Sequence, residues 1–223
     1  RMLVLDGRYV LISREGIPHI RGLNSRYGLT YVPGTWIQSI DVGKGAGSVI
    51  NGFESMTGQI NLEFKKPENS EAWYFNAYLN SFGRMELNAN HATDLSEKWS
   101  TAFLLHGNYL GNEMEGNDDG FMDMPKSRQV NIMNRYKYEG DRIVSQIGFQ
   151  YMIDDNAGGQ LGYNFGDDLL TSPVYGFKNT AMRAEIFGKV GWLFPAKPYK
   201  GWGLQYSFAY LDYDGGAGRR IYT

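Results

Sequence analysis

The sequence predicts a mostly β chain: an α/β N-terminal portion followed by about seven antiparallel strands of an incomplete transmembrane β-barrel. Three observations lead there. From residue 73 onward, apolar and polar residues alternate at the two-residue period of an extended chain, in segments of roughly ten residues that match a tilted membrane crossing. From the second of these segments onward, short and long connections alternate, as turns and loops do on the two sides of a barrel. Aromatic residues make up 15% of the chain, with 16 Tyr, 12 Phe, 5 Trp and 29 Gly, the balance of strands with aromatic girdles and glycine turns.

In the N-terminal portion, residues 3–5 run into the turn dipeptide Asp6-Gly7, and residues 9–12 read as the return strand of a hairpin. Pro18, Gly22, Gly28, Pro33 and Gly34 make residues 17–36 irregular, with one short helix near 22–27. His19 in this stretch reads as a loop histidine or a metal ligand, and no second His, Cys or carboxylate stands beside it at ligand spacing. Ile40 and Val42 then alternate with Ser39, Asp41 and Gly43 as a strand, and Gly43, Gly45 and Gly47 form a turn. After Gly52 and Gly58, Ile60, Leu62 and Phe64 alternate with Asn61, Glu63 and Lys65 in a half-buried strand that Lys66 and Pro67 end. The glycine run is open to three readings: a phosphate loop, a structural turn, or a family motif. A phosphate loop needs its Lys and its Ser or Thr adjacent at a helix start, whereas Lys44 and Ser48 are four apart.

The barrel segments follow in order. Trp73, Phe75, Ala77 and Leu79 share a face opposite Tyr74, Asn76, Tyr78 and Asn80, and Met85, Leu87 and Ala89 oppose Glu86, Asn88 and Asn90. Residues 99–109 make a more uniformly apolar strand. Val130, Ile132, Tyr136 and Tyr138 then oppose Asn131, Met133, Arg135 and Lys137, and Ile147, Phe149, Tyr151 and Ile153 oppose Gln146, Gly148 and Gln150. Met182, Ala184, Ile186, Val190, Trp192 and Phe194 oppose Arg183, Glu185 and Lys189, and the last segment sets Trp202, Leu204, Tyr206, Phe208 and Tyr210 against Gln205, Ser207 and Ala209. Tyr74, Tyr78, Arg135, Gln150, Arg183 and Glu185 are thereby expected to face the lumen.

Composition narrows the class further. The longest apolar runs fall far short of the ~20 residues of a membrane helix, while a mean hydropathy of −0.42 suits strands that alternate lipid-facing and lumen-facing residues. A net charge of −2 leaves no electrostatic footprint for nucleic acid, and the absence of Cys excludes disulfides and thiolate metal sites in this stretch. A soluble sandwich shares the alternation but not the strand length or the pattern of connections. Barrels of one chain have even strand numbers, and the sequence starts inside an apparent strand, so an internal fragment is expected.

Residues 39–66 carry a resemblance. Ile40, Asp41, Val42, Gly45, Ser48, Gly52, Gly58, Ile60, Asn61 and Lys66 resemble the end of the plug domain of TonB-dependent outer-membrane receptors. The departures, Asp41 beside Ile40, Asn51 before Gly52 and Gln59 after Gly58, resemble the Bacteroidetes branch of that family. The resemblance implies that residues 1–67 are the C-terminal part of a plug and residues 68–223 the first strands of a barrel of about twenty-two. It also implies ligand-gated active import of a scarce nutrient across the bacterial outer membrane: a metal chelate, siderophore, metal ion or other small ligand. TonB would act through an upstream segment absent from this sequence. The alternative is a non-transporting structural or adhesion component of the same membrane.

No catalytic constellation is visible, since His19, His91 and His106 are far apart and the carboxylates cluster in loops, so an enzyme is not expected and no cofactor is required. Met114, Met122, Met124, Met133 and Met152 suit either a soft metal such as copper or plain packing. One loop has structural calcium spacing: Glu115, Asn117, Asp119, the carbonyl of Phe121, and Asp123, with Gly120 at the sixth position. Lys126 stands where the closing bidentate Glu belongs, and a solvated acidic loop is the other reading of that stretch.

Overall fold

The computed structural model describes residues 9–20, 28–47, 55–197 and 199–222, which form two sheets. The first has four strands in the order β2-β1-β4-β3: β1 (Val10–Arg14), β2 (Ile17–Ile20), β3 (Ile37–Lys44) and β4 (Gly58–Phe64). β1 lies parallel to β4, and the other neighbours are antiparallel. The strands on either side of the glycine run are where alternation places them. Residues 17–20 differ from the expectation of irregular chain. They are a strand because Glu15 (φ 51°) and Gly16 (φ 77°) both take left-handed backbone, the two-residue turn that matches strand twist. Pro18 is tolerated because β2 is an edge strand. The expected arm at 3–5 and the short helix at 22–27 lie outside the described residues. Among the described residues the N-terminal portion holds no α-helix, only short 3-10 turns at Gly34–Trp36 and Pro67–Asn69.

The second sheet is an antiparallel meander of eight strands, each paired with the next in sequence: β5 (Trp73–Leu79), β6 (Met85–Asp94), β7 (Trp99–Leu110), β8 (Lys126–Glu139), β9 (Ile143–Gly159), β10 (Gly176–Leu193), β11 (Gly201–Ala217) and β12 (Arg220–Tyr222). The seven expected strands are all present, and the three-residue β12 is an addition. β9, β10 and β11 run to 17 or 18 residues, so the long connections shorten to residues 111–125 and 160–175. The ladder extends into what composition marks as loop because Asp, Asn and Gly there still pair across strands, as in Asn156 with Asn179.

The two faces of this sheet differ as the alternation requires. Phe75 (70% exposed), Leu204 and Phe208 (72%) lie on the outer face, whereas Arg135 (1%) and Glu185 (3%) lie on the inner face against the first sheet. Trp73, Trp99, Trp192 and Trp202 all stand at the short-turn ends of their strands, the position of an interfacial girdle. Trp99 packs on Tyr138 and Trp73 stacks on His91. At the long-loop end, Phe121 bridges to Gln160, and buried Lys126 joins both loops. Its Nζ donates to Glu113 Oε1 (2.8 Å), the Tyr163 carbonyl (2.9 Å) and Asn164 Oδ1 (2.6 Å), satisfying all three ammonium donors.

Between the sheets lies a shared core. Ile12, Val32, Trp36, Leu62 and Phe64 of the N-terminal portion pack with Leu104, Met133 and Phe187 of the long sheet. Ile20 and Tyr31 similarly meet Met152 and Ala181. Met133 and Met152 are therefore packing residues, which removes two members from the soft-metal set. Gly148 makes this core possible, since a Cβ there would stand 2.2 Å from the Phe187 ring.

The facing assignment is testable at neighbouring positions. Phe208→Arg puts a charge on the outer apolar face and is expected to weaken assembly in bilayers by about 2 to 4 kcal/mol if it lies near the midplane, while Gln205→Arg on the inner face is mild. Heat-modifiable migration of the intact protein after folding into vesicles reads the difference, and equal effects would reverse the faces.

Candidate functional site

The site is a buried polar junction where the β1–β2 turn meets the inner face of the long sheet. The turn carries Arg14 and Glu15 side by side, and the strands around it are apolar, so these charges are drawn inward with the sheet. Asn61 on β4 holds the turn in place: its Oδ1 accepts from Ser13 Oγ (3.0 Å) and Gly16 N–H (2.8 Å), and its Nδ2 donates to Glu63 (3.0 Å). Arg135 Nη1 and Nη2 then grip Glu15 Oε1 and Oε2 at 2.8 and 3.2 Å, a bidentate pair buried on both sides. Arg135 also donates to the Lys65 carbonyl at 3.2 Å, and Lys189 donates to the backbone carbonyl of Glu15.

Arg14 reaches the neighbouring strands. Its Nη1 donates to Gln150 Oε1 at 2.5 Å, its guanidinium lies 3.6 Å from the Phe187 ring centroid, and Nη2 stands 3.0 Å from Glu185 Oε1. Glu185 is shared. It also accepts from Ser207 Oγ (2.7 Å), pairs with Arg183 at 3.0 Å and lies 3.4 Å from His19 Nδ1. A distance of 3.4 Å is long for a hydrogen bond, so the contact leaves Nδ1 without a close acceptor among the described residues. Gln150 continues the network to Asn131, whose Nδ2 donates to the Tyr31 carbonyl at 2.8 Å.

Burial governs the ionisation of the N-terminal groups. It pushes the Arg14 guanidinium down to about 10 against the pull of Glu185 and Glu15. Burial alone would raise Glu15, but the Arg135 pair prevails and holds its carboxyl below the ordinary range. His19 is lowered to about 4 by burial and then by Arg14, with Glu185 opposing, so it is neutral at neutral pH.

Toward the long-loop end a cleft of about 320 Å³ opens between residues 29–34 and the long sheet. Val32 and Pro33 line one side, and Glu86, His106, Gln129 and Asp154 line the other. His106 Nδ1 lies 2.7 Å from Asn88 Oδ1, which also accepts from Thr35 Oγ1 at 2.9 Å, and Gln129 Nε2 donates to the Thr30 carbonyl at 3.1 Å.

Of the residues singled out in the sequence, Arg135, Gln150, Arg183 and Glu185 come together in the junction. Tyr74 is apart from them on the same inner face, under Lys65 Nζ at 4.6 Å, and Tyr78 pairs across the ladder with Glu86. Asn61 holds the turn; Lys66 meets Glu63 at 3.5 Å; Asp41 pairs across the ladder with Asn61; Gly45 takes φ 92° and Gly58 φ 151°. Ser48 and Gly52 lie outside the described residues. In the loop with calcium spacing, Glu115 accepts from Gly120 N–H (2.5 Å), and Asp119 accepts from Phe121 N–H (2.8 Å) and Asn117 Nδ2 (2.9 Å), while the Asp123 carboxylate lies beside Gly116. Among the described residues no three His, Asp or Glu side chains converge on a metal position. Sequence reading missed Arg14 and Glu15, for which the available signal was an Arg-Glu-Gly turn set between two apolar strands, and it read His19, which lies buried on β2, as a loop histidine or a metal ligand.

No family model matches the sequence, and no curated protein is similar to it in sequence. Solved structures are similar in fold. The ferric-catecholate import receptor Fiu from E. coli K12 superposes with a TM-score of 0.63 at 12% identity, over 97% of this chain and 34% of that one. The siderophore receptor PiuA from Acinetobacter baumannii gives 0.53 at 12% identity, over 95% and 39%, and the ferric enterobactin receptor PfeA gives 0.53 at 10%, over 95% and 39%. This chain has the fold of part of these receptors. It spans between a third and two fifths of those receptors' length, covering the N-terminal sheet and the barrel strands that pack on it. Within that fold, the junction joins the two sheets through buried charge.

Two outcomes follow from this geometry. Glu15→Ala leaves Arg135 buried without its carboxylate and is expected to loosen the N-terminal sheet by about 3 to 5 kcal/mol, whereas Glu15→Leu with Arg135→Met recovers most of that loss. Hydrogen exchange of β1 amides in the intact protein measures both. For His19, the folded value near 4 lies below the usual 6.5, so the unfolded chain binds the extra proton. Stability is full above pH 6.5 and declines as pH falls toward 4. His19→Gln is expected to flatten that part of the pH profile of β1 protection.

Proposed function

We propose that this chain is the C-terminal part of the plug (residues 1–67) and the first barrel strands (residues 68–223) of a TonB-dependent receptor of the bacterial outer membrane. The receptor imports a scarce small ligand by active, ligand-gated transport. The observation that carries the reading is the junction itself: a small sheet held against the inner face of a wall with an apolar outer face, by buried ion pairs and amides beside a shared apolar core. Buried charges are satisfied only in one register and can be rehydrated when water enters, so the interface suits a sheet that must be held and then displaced.

The fold shared with a ferric-catecholate import receptor, a siderophore receptor and a ferric enterobactin receptor supports transport over a structural or adhesive role. The motif at Asp41, Gly45, Gly58, Asn61 and Lys66 supports TonB as the source of energy, acting through a segment upstream of Arg1, and the departures at Asn51 and Gln59 support the Bacteroidetes type. Siderophores and other metal chelates lead the ligand classes.

Deleting the intact gene is expected to slow growth under iron, copper or cobalamin limitation, and loss of TonB is expected to reproduce the defect without adding to it. A normal deletion strain in all three media, or uptake that persists without TonB, overturns the reading in favour of a non-transporting outer-membrane component.

A further inference from the structure

We infer that the cleft beneath the long loops takes a ligand rich in hydrogen-bond donors and without net negative charge, rather than an anionic chelate. This rests on the import reading above and narrows its ligand class.

The inference starts from what the cleft wall leaves unused. Gln129 is 3% exposed, and its orientation is set by two acceptors: Nε2 donates to the Thr30 carbonyl (3.1 Å) and to Asp154 Oδ1 (3.0 Å). Its Oε1 is therefore an acceptor, and among the described residues it is buried with no donor. A buried acceptor without a partner is costly, and because Gln129 lines the cleft, a ligand donor that reaches Oε1 as the wall yields removes that cost. The charges point the same way. Arg84 Nε donates to Glu86 Oε1 at 2.6 Å, so this cation is already matched by its own carboxylate. Asp154 receives amide N–H groups, from Gln129 and from Asn156 Nδ2 at 2.6 Å, but no Lys or Arg pairs with it among the described residues. The described wall thus carries one uncompensated negative charge, with Val32, Pro33 and Leu110 supplying apolar contact beside it.

A ferric tris-catecholate presents several negative charges and a surface of acceptor oxygens. Against this wall it meets the field of a carboxylate that no Lys or Arg neutralises among the described residues. A ligand bearing ammonium, amide N–H or hydroxyl donors meets complementary groups.

The experiment uses the intact receptor in detergent at low salt, with three probes: a cationic ferric trihydroxamate, a neutral oligosaccharide and an anionic ferric tris-catecholate, followed by calorimetry. The cationic or the neutral probe is expected to bind at least about fivefold more tightly than the anionic one, the scale of one partly screened charge. Asp154→Asn is expected to narrow that gap by a similar factor. Glu86→Gln, which frees Arg84, shifts the preference in the same direction and carries the test if Asp154→Asn does not assemble. Equal or tighter binding of the anionic probe, no binding of any probe, or an unchanged preference in both variants overturns the inference. If the binding order holds but TonB-dependent uptake of the bound probes fails in cells, the import reading fails and the cleft assignment stands.

Discussion

The pairing of Glu15 with Arg135 is the constraint on which the rest of the arrangement depends. Two ions taken from water lose hydration that their attraction restores only in good geometry, so the pair adds little net stability but is severe about position. That severity explains the supports around it. The left-handed turn aims Glu15, Asn61 fixes the turn, and Lys189 binds its carbonyl. Arg14 then falls between Gln150, Glu185 and Phe187 on neighbouring strands, which ties β1 to β9 and β10 as well as to β8.

The long sheet meets two opposite demands with one repeating device. Along β10, Glu185 turns inward to the ion network, Ile186 (42% exposed) turns outward, and Phe187 turns inward again to carry Arg14 on its ring. A one-residue slip would put Ile186 in the network and Glu185 on the apolar face, so the period of two protects register as well as solubility. The apolar cluster around Trp36 and Met133 provides bulk adhesion that is indifferent to small shifts, and the charges select among them.

Much of this was legible in the chain. Arg135, Gln150, Arg183 and Glu185 could be placed inward because alternation is local and every strand tests it independently. Arg14, Glu15 and His19 could not, because their partners are remote: Glu15 meets Arg135 across 120 positions, a contact that no local pattern encodes. Pro18 made β2 read as irregular chain, since a proline argues against a strand unless the strand is known to be an edge. Polar composition hid the ends of β9 and β10, where ladder pairing continues through Asp and Asn. Met133 and Met152 suit either a soft metal or plain packing by residue type alone, and their burial in the shared core decides for packing.

Lys126 gives the outer rim a mechanical character. Its ammonium ties the loop bearing Glu113 to the loop bearing Tyr163 and Asn164, and Glu113 also accepts Gly162 N–H at 3.1 Å. Phe121 bridged to Gln160 adds a backbone link between the same two loops. A displacement of one loop is therefore transmitted to the other through these bonds, and a substitution in either loop is felt by both.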